Sequence, residues 1–341
     1  MDFTNAQIFD PWLVCYLLPI PSQPPNATVQ IISRLPGPTQ PSGDFSFLSS
    51  GPPVSEEIEI DYDGDRKPIP ANLARFLRVL APTQGSRAIY ADTLTWLRPD
   101  APKLVTRSRV TRAYAMRANC TLCWLGCWLG PELLQTAEAV ELLCKAAGEW
   151  EPLAPREYNW NRLKHRRLDG IELNDRYICY VINIVSKSPY WSQIDCVLDN
   201  VRSQTTTLYL GSHHLNLDQY VRGVQTLQLL PDVENRPPLT DRFLLIQAIN
   251  NVNRICQHRQ PTLVRLLRIA MRFPSADPRE VVFDIFPLVA HIERQLQLVV
   301  HNTTNELFTL AATVIIQESG IAGLWNDWPP HCARFREGLP S

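Results

Sequence analysis

A chain of 341 residues with 45% hydrophobic content is long enough to bury a sizeable core, and it allows two domains or one large domain with an extension. Its 33 Lys+Arg against 34 Asp+Glu leave a formal net charge of -1, which gives no electrostatic footprint for nucleic acid or an anionic membrane. No apolar run approaches the roughly 18 residues that span a bilayer. The nine cysteines, odd in number and scattered through apolar runs, fit reduced cytoplasmic thiols better than a disulfide framework.

Residues 1–43 carry Pro19, Pro21, Pro24, Pro25, Pro36, Pro38 and Pro41 and read as a Pro-rich irregular N-terminal arm. Beyond one short strand, such as Thr28 to Ile32, no regular structure is expected there, because each proline removes a donor and fixes φ. The apolar run Trp12 to Ile20 lacks a basic leader, since Asp2 and Asp10 precede it, so no secretory signal is expected. The first core strand is expected in Asp44 to Gly51. Glu57 to Tyr62 alternates acid and apolar residues as an edge strand does, and Asp63-Gly64 is a turn signal. A helix then starts at Pro70-Ala71-Asn72-Leu73 and runs to Leu80. Leu73, Phe76, Leu77 and Leu80 fall at i, i+3, i+4 and i+7, and Pro82 and Gly85 end it.

Arg87 to Gly126 reads as strand, loop, helix and strand. The apolar run Ala88 to Ala91 ends on Asp92, a Pro-marked turn spans Arg98 to Pro102, a basic segment spans Thr106 to Ala118, and Cys120 to Gly126 is apolar again. Two short buried strands joined by a charged crossover helix are the unit of a parallel sheet, so the fold class is α/β. An acid at the carboxyl end of such a strand lies where open α/β sheets bind ligands, which makes Asp92 a candidate pocket carboxylate. The competing reading is an Asp that caps the next turn.

Next come an amphipathic helix from Glu132 to Trp150 and a polar, basic insertion from Trp150 to Asp175 with Lys164 to Arg167 at its centre. Asn174 to Ser186 is apolar and is broken by Ser188-Pro189-Tyr190-Trp191-Ser192; a short helix over Gln193 to Arg202 and a strand over Thr206 to Gly211 follow. From Leu215 the pattern is mostly helical, with Asp241 to His258, Thr262 to Arg272, Pro278 to His291 and Asn305 to Ile316 at helical spacing.

Cys120, Cys123 and Cys127 have metal-like spacing, but the first two fall on opposite faces of one strand with no histidine near in sequence, so buried core thiols are the expectation and no metal is assigned. His213-His214 and Lys164 to Arg167 read as solvated loop residues. Glycine-rich phosphate loops and the Gly-x-Ser-x-Gly nucleophile elbow are missing, so dehydrogenase, P-loop and α/β-hydrolase chemistry lack their signals.

Several blocks, in order, resemble the fungal heterokaryon incompatibility (HET) domain. Tyr90-Ala91-Asp92-Thr93-Leu94-Thr95 is similar to its Trp-Ile-Asp-Ala-Leu-Cys strand motif. Ala113-Tyr114 through Ala118, followed by Cys123-Trp124-Leu125-Gly126, is similar to its Ile-Tyr-x-x-Ala helix and Val-Trp-Leu-Gly strand. Ile58 to Leu80 resembles the strand, turn and Asn-Leu helix upstream. Pro189 through Asp199, with Leu210-Gly211, resembles the Tyr-Trp helix and Cys-Gly strand end downstream. The chain departs from the family at Leu97-Arg98, where Asn-Gln is usual, at Gln193 for Arg, at Asp195 for an aromatic, and at Leu198-Asp199 for Gln-Glu.

The resemblance implies a HET-like α/β domain over 44–211, with a TIR-like, mainly parallel sheet flanked by helices, and a mostly helical C-terminal region over 212–341. It also implies fungal non-self recognition and programmed cell death, through self-association or a protein partner, with no required cofactor; the charge balance, the short apolar runs and the scattered thiols add the expectations of no nucleic acid, no membrane span and a cytoplasmic location. HET domains are related to TIR domains, in some of which a helix glutamate after a Ser/Trp turn assists cleavage of the nicotinamide–ribose bond of NAD. By that likeness Ser188, Trp191 and Arg98 are ligand-binding candidates, Asp199 and Asp92 catalytic candidates, and NAD a candidate substrate. A carboxylate suits that chemistry because positive charge develops on the ribose in an oxocarbenium-like transition state. A solvated helix acid is the competing reading of Asp199.

Overall fold

The computed structural model describes residues 14–19, 28–34, 45–50, 54–95, 97, 118–126, 131–148, 167–168, 171–172, 175–192, 199–201, 203, 205–228, 241–256, 262–270, 285, 303, 305–306 and 309–317. In chain order its strands are β1 (Val14–Leu17), β2 (Gln30–Arg34), β3 (Ser46–Ser49), β4 (Glu57–Tyr62), β5 (Asp65–Pro70), β6 (Arg87–Ala91), β7 (Cys120–Trp124), β8 (Arg167–Leu168), β9 (Ile171–Glu172), β10 (Thr206–Leu210) and β11 (His213–Asn216). The helices are α1 (Ala71–Leu80), α2 (Asp92–Thr95), α3 (Pro131–Gly148), α4 (Asp175–Ser186), α5 (Leu217–Gln228), α6 (Asp241–Cys256) and α7 (Leu263–Ala270), with a 3-10 turn at Pro189–Ser192. Residues 106–117 of the expected crossover helix, Arg98 and most of the Pro278 to His291 segment lie outside the described residues.

The chain forms two compact units, Met1–Cys144 with Ser203–Tyr220, and Lys145–Arg202 with Val221–Ser341. Residues 145–202 fall in the same unit as the residues beyond 220.

The first unit is α/β and is built on a nine-stranded sheet of order β11-β10-β7-β3-β6-β1-β2-β4-β5. β6, β3, β7 and β10 run parallel and form its central block. The flanks are mixed: β1 is antiparallel to both β6 and β2, β2 is parallel to β4, and β5 and β11 close the edges as antiparallel strands. Both faces of the parallel block are covered, as parallel sheets require. Leu48, Ile89, Ala91, Leu122 and Trp124 share one core with α1, whereas Phe47, Tyr90 and Ala88 point the other way with Phe45 and Ala118. Phe47 and Tyr90, paired across β3 and β6, stack with centroids 5.7 Å apart.

α1 forms where its periodicity places it. Leu73, Phe76, Leu77 and Leu80 are all buried, each burial worth about 1.5–3 kcal/mol before allowing for residual burial in the unfolded chain. Phe76 stacks on Trp124 of β7 at 5.1 Å and packs tilted against Tyr209 of β10 at 5.4 Å; Tyr209 in turn stacks on His214 of β11 at 5.3 Å. An aromatic column thus runs from the core to the exposed edge. Burial pushes the Tyr209 phenol above its ordinary value, against the pull of the Arg87 guanidinium.

Three local readings are corrected. The N-terminal arm supplies two strands, with β1 inserted inside the sheet, because the proline-free run Val14–Leu17 can donate on both sides. Glu57–Tyr62 is second from the edge. The turn at Asp63 (φ 55) and Gly64 (φ 89), with both residues left-handed, returns the chain as β5, whose Pro68 is tolerated because β5 is the outermost strand. His213 and His214 lie in β11, paired with Leu210 and Tyr209, and not in a loop.

In the second unit, every described element after Tyr220 is helical. At 303–306 a capping box is complete: Thr303 N–H donates to Glu306 Oε2 at 2.7 Å, and Glu306 N–H donates to Thr303 Oγ1 at 3.3 Å. The backbone bond from Thr303, and then its hydroxyl, hold the Glu306 carboxyl below its usual range. A depressed carboxyl contributes stability above its unfolded pKa and loses it as pH falls through the folded value. Amide exchange at 305–306 and 309–311 is therefore expected to accelerate at pH below the glutamate range, and Glu306→Gln should flatten that dependence; an unchanged pH profile in the variant would show that the box does not cap the helix.

Candidate functional site

In the parallel block the spatial order β6-β3-β7-β10 is second, first, third and fourth in sequence. The winding direction reverses between β3 and β7. In doubly wound sheets the crevice outside the carboxyl ends at that reversal is where ligands bind. The residues delivered there are Ser49, the last of β3, with Ser50 after it, Leu125 and Gly126 after β7, Gly211 after β10, and Asp92, which begins α2 directly after β6.

Backbone and side-chain bonds tie this rim together. Leu125 N–H donates to Tyr209 O at 2.9 Å and Gly211 N–H to Gly126 O at 2.8 Å, which extends the β7–β10 ladder past the strand ends. Asn72 Nδ2 donates to Ser50 O at 2.9 Å and so anchors the first turn of α1 at the end of β3. Ser49 is buried. Gly126 has φ +121, where only glycine is at ease, and nothing lies within 4 Å of where a Cβ would stand. Gly126→Ala is therefore a backbone substitution without a clash, and a loss of about 1–3 kcal/mol in a urea midpoint analysis is expected. A variant as stable as the parent would mean that β7 can end in another conformation.

Ser188, Trp191 and Asp199 fall in the second unit. α4 ends in the turn that carries the first two: Lys187 N–H donates to Asn183 O at 2.9 Å, Ser188 N–H to Val185 O at 3.2 Å and Trp191 N–H to Ser188 O at 3.3 Å. Ser188 Oγ accepts from Tyr190 N–H at 3.2 Å. Trp191 is 1% exposed; its Nε1 donates to Val185 O at 3.0 Å and its ring meets Tyr190 edge-on at 4.8 Å. The ring and its donor are thus committed to the interior. Asp199 is half-buried in a helical segment, 199–201, whose next residue, Asn200, donates from Nδ2 to Tyr190 OH at 2.8 Å. That bond brings the Asp199 segment to the Ser188–Trp191 turn. Asp92 and Asp199 belong to different compact units.

Sequence reasoning passed over Tyr190, Asn200 and Asn253 as functional candidates, and took Asn72 only as part of a framework motif. The one local signal is at Asn250 and Asn253, which fall at i+4 and i+7 from Ile246 and so share the apolar face of their helix, where an amide needs a partner.

Cys120 Sγ lies 3.4 Å from Ser46 Oγ, while Cys123, on the opposite face of β7, is fully buried. Among the described residues no group of three or more His, Cys, Asp or Glu is placed to hold a metal. Burial pushes the Cys144 thiol above its ordinary value, away from the reactive thiolate. No helix among the described residues is long and apolar enough to cross a membrane.

No family model matches the chain, and no curated protein or solved structure matches it either.

Proposed function

We propose that the chain is a diverged HET-like protein of fungal non-self recognition, acting in the cytoplasm and promoting cell death by assembly with itself or with a protein partner. On this reading a helical C-terminal region regulates the assembly, and no cofactor is required. The observation that carries it is the fit between motif order and topology. Tyr90-Ala91-Asp92 spans the end of β6 and the start of α2, and Cys123 to Gly126 spans the end of β7, so both motifs meet the same carboxyl rim on either side of β3. The second-first-third-fourth order of the parallel strands supports a TIR-like sheet. Expression in a fungal host should be toxic, and light scattering of the purified protein should give a mass that rises with concentration. A harmless protein that stays monomeric and captures no partner from fungal extract overturns the proposal.

A second reading is favoured by the Asn200–Tyr190 bond, which sets Asp199 beside the Ser188–Trp191 turn. Here the chain cleaves NAD: the nicotinamide–ribose bond breaks, water adds at the ribose carbon, and the Asp199 carboxylate stabilises the cationic sugar between them. Asp92 and Arg98, candidates by the family resemblance, belong to the other compact unit, and no step of this reaction is assigned to them. Purified protein should release nicotinamide from NAD, and Asp199→Asn should abolish the release. Absence of release from the parent protein removes this reading and leaves the first intact.

A further inference from the structure

The Asp199 segment is held by a helix that lies beyond the HET-like stretch. Asn253 of α6 donates from Nδ2 to the backbone carbonyl of Asn200. Asn200 donates from its own Nδ2 to Tyr190 OH at 2.8 Å, and Tyr190 meets Trp191 edge-on. Asn200 and Tyr190 are buried, as are Asn250 and Asn253, one turn apart on α6. At the other end of the turn, Arg242 of α6 donates from Nη1 to Lys187 O at 3.2 Å. Thus α6 contacts the chain just before the Ser188–Trp191 turn and again beside Asp199.

An amide side chain buried this deeply is retained only where its bonds specify one arrangement, because an apolar residue would cost less to desolvate. Leu, Ile or Val at 253 would fill the site but remove the amide that donates to the Asn200 carbonyl. The bond from Asn253 goes to backbone, so it fixes the position of the 199–201 segment and not merely one rotamer. The bond from Asn200 then sets the spacing between that segment and the turn.

We infer that Asn253 and Asn200 are positioning residues that hold Asp199 against the Ser188–Trp191 turn, so that α6 completes the site from outside the 44–211 stretch. The role of the Asp199 carboxylate rests on the NAD-cleaving reading; the positioning does not.

The test uses the full chain with two isosteric variants. Asn253→Asp removes the donor to Asn200, and Tyr190→Phe removes the hydroxyl that accepts from Asn200. Each should accelerate amide exchange at 188, 190–192 and 199–201 by about tenfold, leaving β3 and β7 unchanged. In the double variant the two effects should be less than multiplicative, since one chain of bonds is cut twice, whereas two merely structural losses would multiply. Nicotinamide release is measured on the same samples. If the parent cleaves NAD, both variants should lower kcat more than they raise KM. Looser segments in a protein that never cleaves NAD uphold the positioning and remove the catalytic reading. Unchanged exchange at 199–201 in Tyr190→Phe overturns the inference whatever the activity, including the case in which Asn253→Asp does not fold.

Discussion

Trp191→Ala is expected to destabilise the second unit by about 3–5 kcal/mol, the range for emptying a fully buried tryptophan site. Trp191 is 1% exposed and among the largest fully buried side chains of the described residues. Two separate losses add. The indole ring leaves a cavity beside Tyr190, whose edge-on contact at 4.8 Å disappears. The Val185 carbonyl, which accepts from Nε1 at 3.0 Å and from Ser188 N–H at 3.2 Å, loses the first of these two donors at the end of α4. Trp191→Phe separates the two: it keeps most of the ring and removes the donor, so a smaller loss of about 1–3 kcal/mol is expected. Urea unfolding followed by near-ultraviolet dichroism measures both. A Trp191→Ala protein of parental stability that had nevertheless lost ligand binding would make Trp191 a ligand platform, as the family resemblance implies, and not a member of the core.

Phe76→Ala should produce a loss of similar size, about 3–5 kcal/mol, in the first unit. Phe76 is fully buried and is the member of α1 that joins two strands, stacking on Trp124 and packing against Tyr209. Truncation would open a cavity between α1 and the β7–β10 pair. The buried leucines of the helix, Leu73, Leu77 and Leu80, cannot fill it without leaving their own sites, because interiors are close-packed. Phe76→Leu should lose markedly less. Tyr209 provides an internal reporter: with its aromatic neighbour removed, its phenol should be better solvated and titrate closer to its ordinary value. A stability loss in Phe76→Ala below about 1 kcal/mol would mean that α1 repacks freely on the sheet, contrary to the observed stacking.

Much of the first unit is legible in short windows of sequence. The i, i+3, i+4, i+7 spacing of α1, the Asp63-Gly64 turn and the apolar run that ends on Asp92 are each written within about ten residues, the range over which helix and strand periodicity operates. The same holds for Asp241–Cys256, Leu263–Ala270 and Thr206–Leu210, whose patterns match their elements closely. Local reasoning failed where the deciding partner is distant. Prolines on both sides made Val14–Leu17 look like part of an arm, yet its partners are Ile89, some seventy residues on, and Ser33 across β2. Pro68 argues against a strand until β5 is known to lie at an edge.

The candidate site divides in the same way. By itself the sequence determined an α/β class, the placement of Asp92 after a buried strand, and the presence of a Ser/Trp turn ahead of an acid, because residue type and spacing are local properties. Only the tertiary structure decided that β3 sits between β6 and β7, which creates the reversal and its carboxyl rim, and that α6 closes on the Asp199 segment through Asn253. Strand order and buried hydrogen-bond partners are set by long-range pairing, in which each group takes whichever complement satisfies it, and no spacing along the chain records that choice.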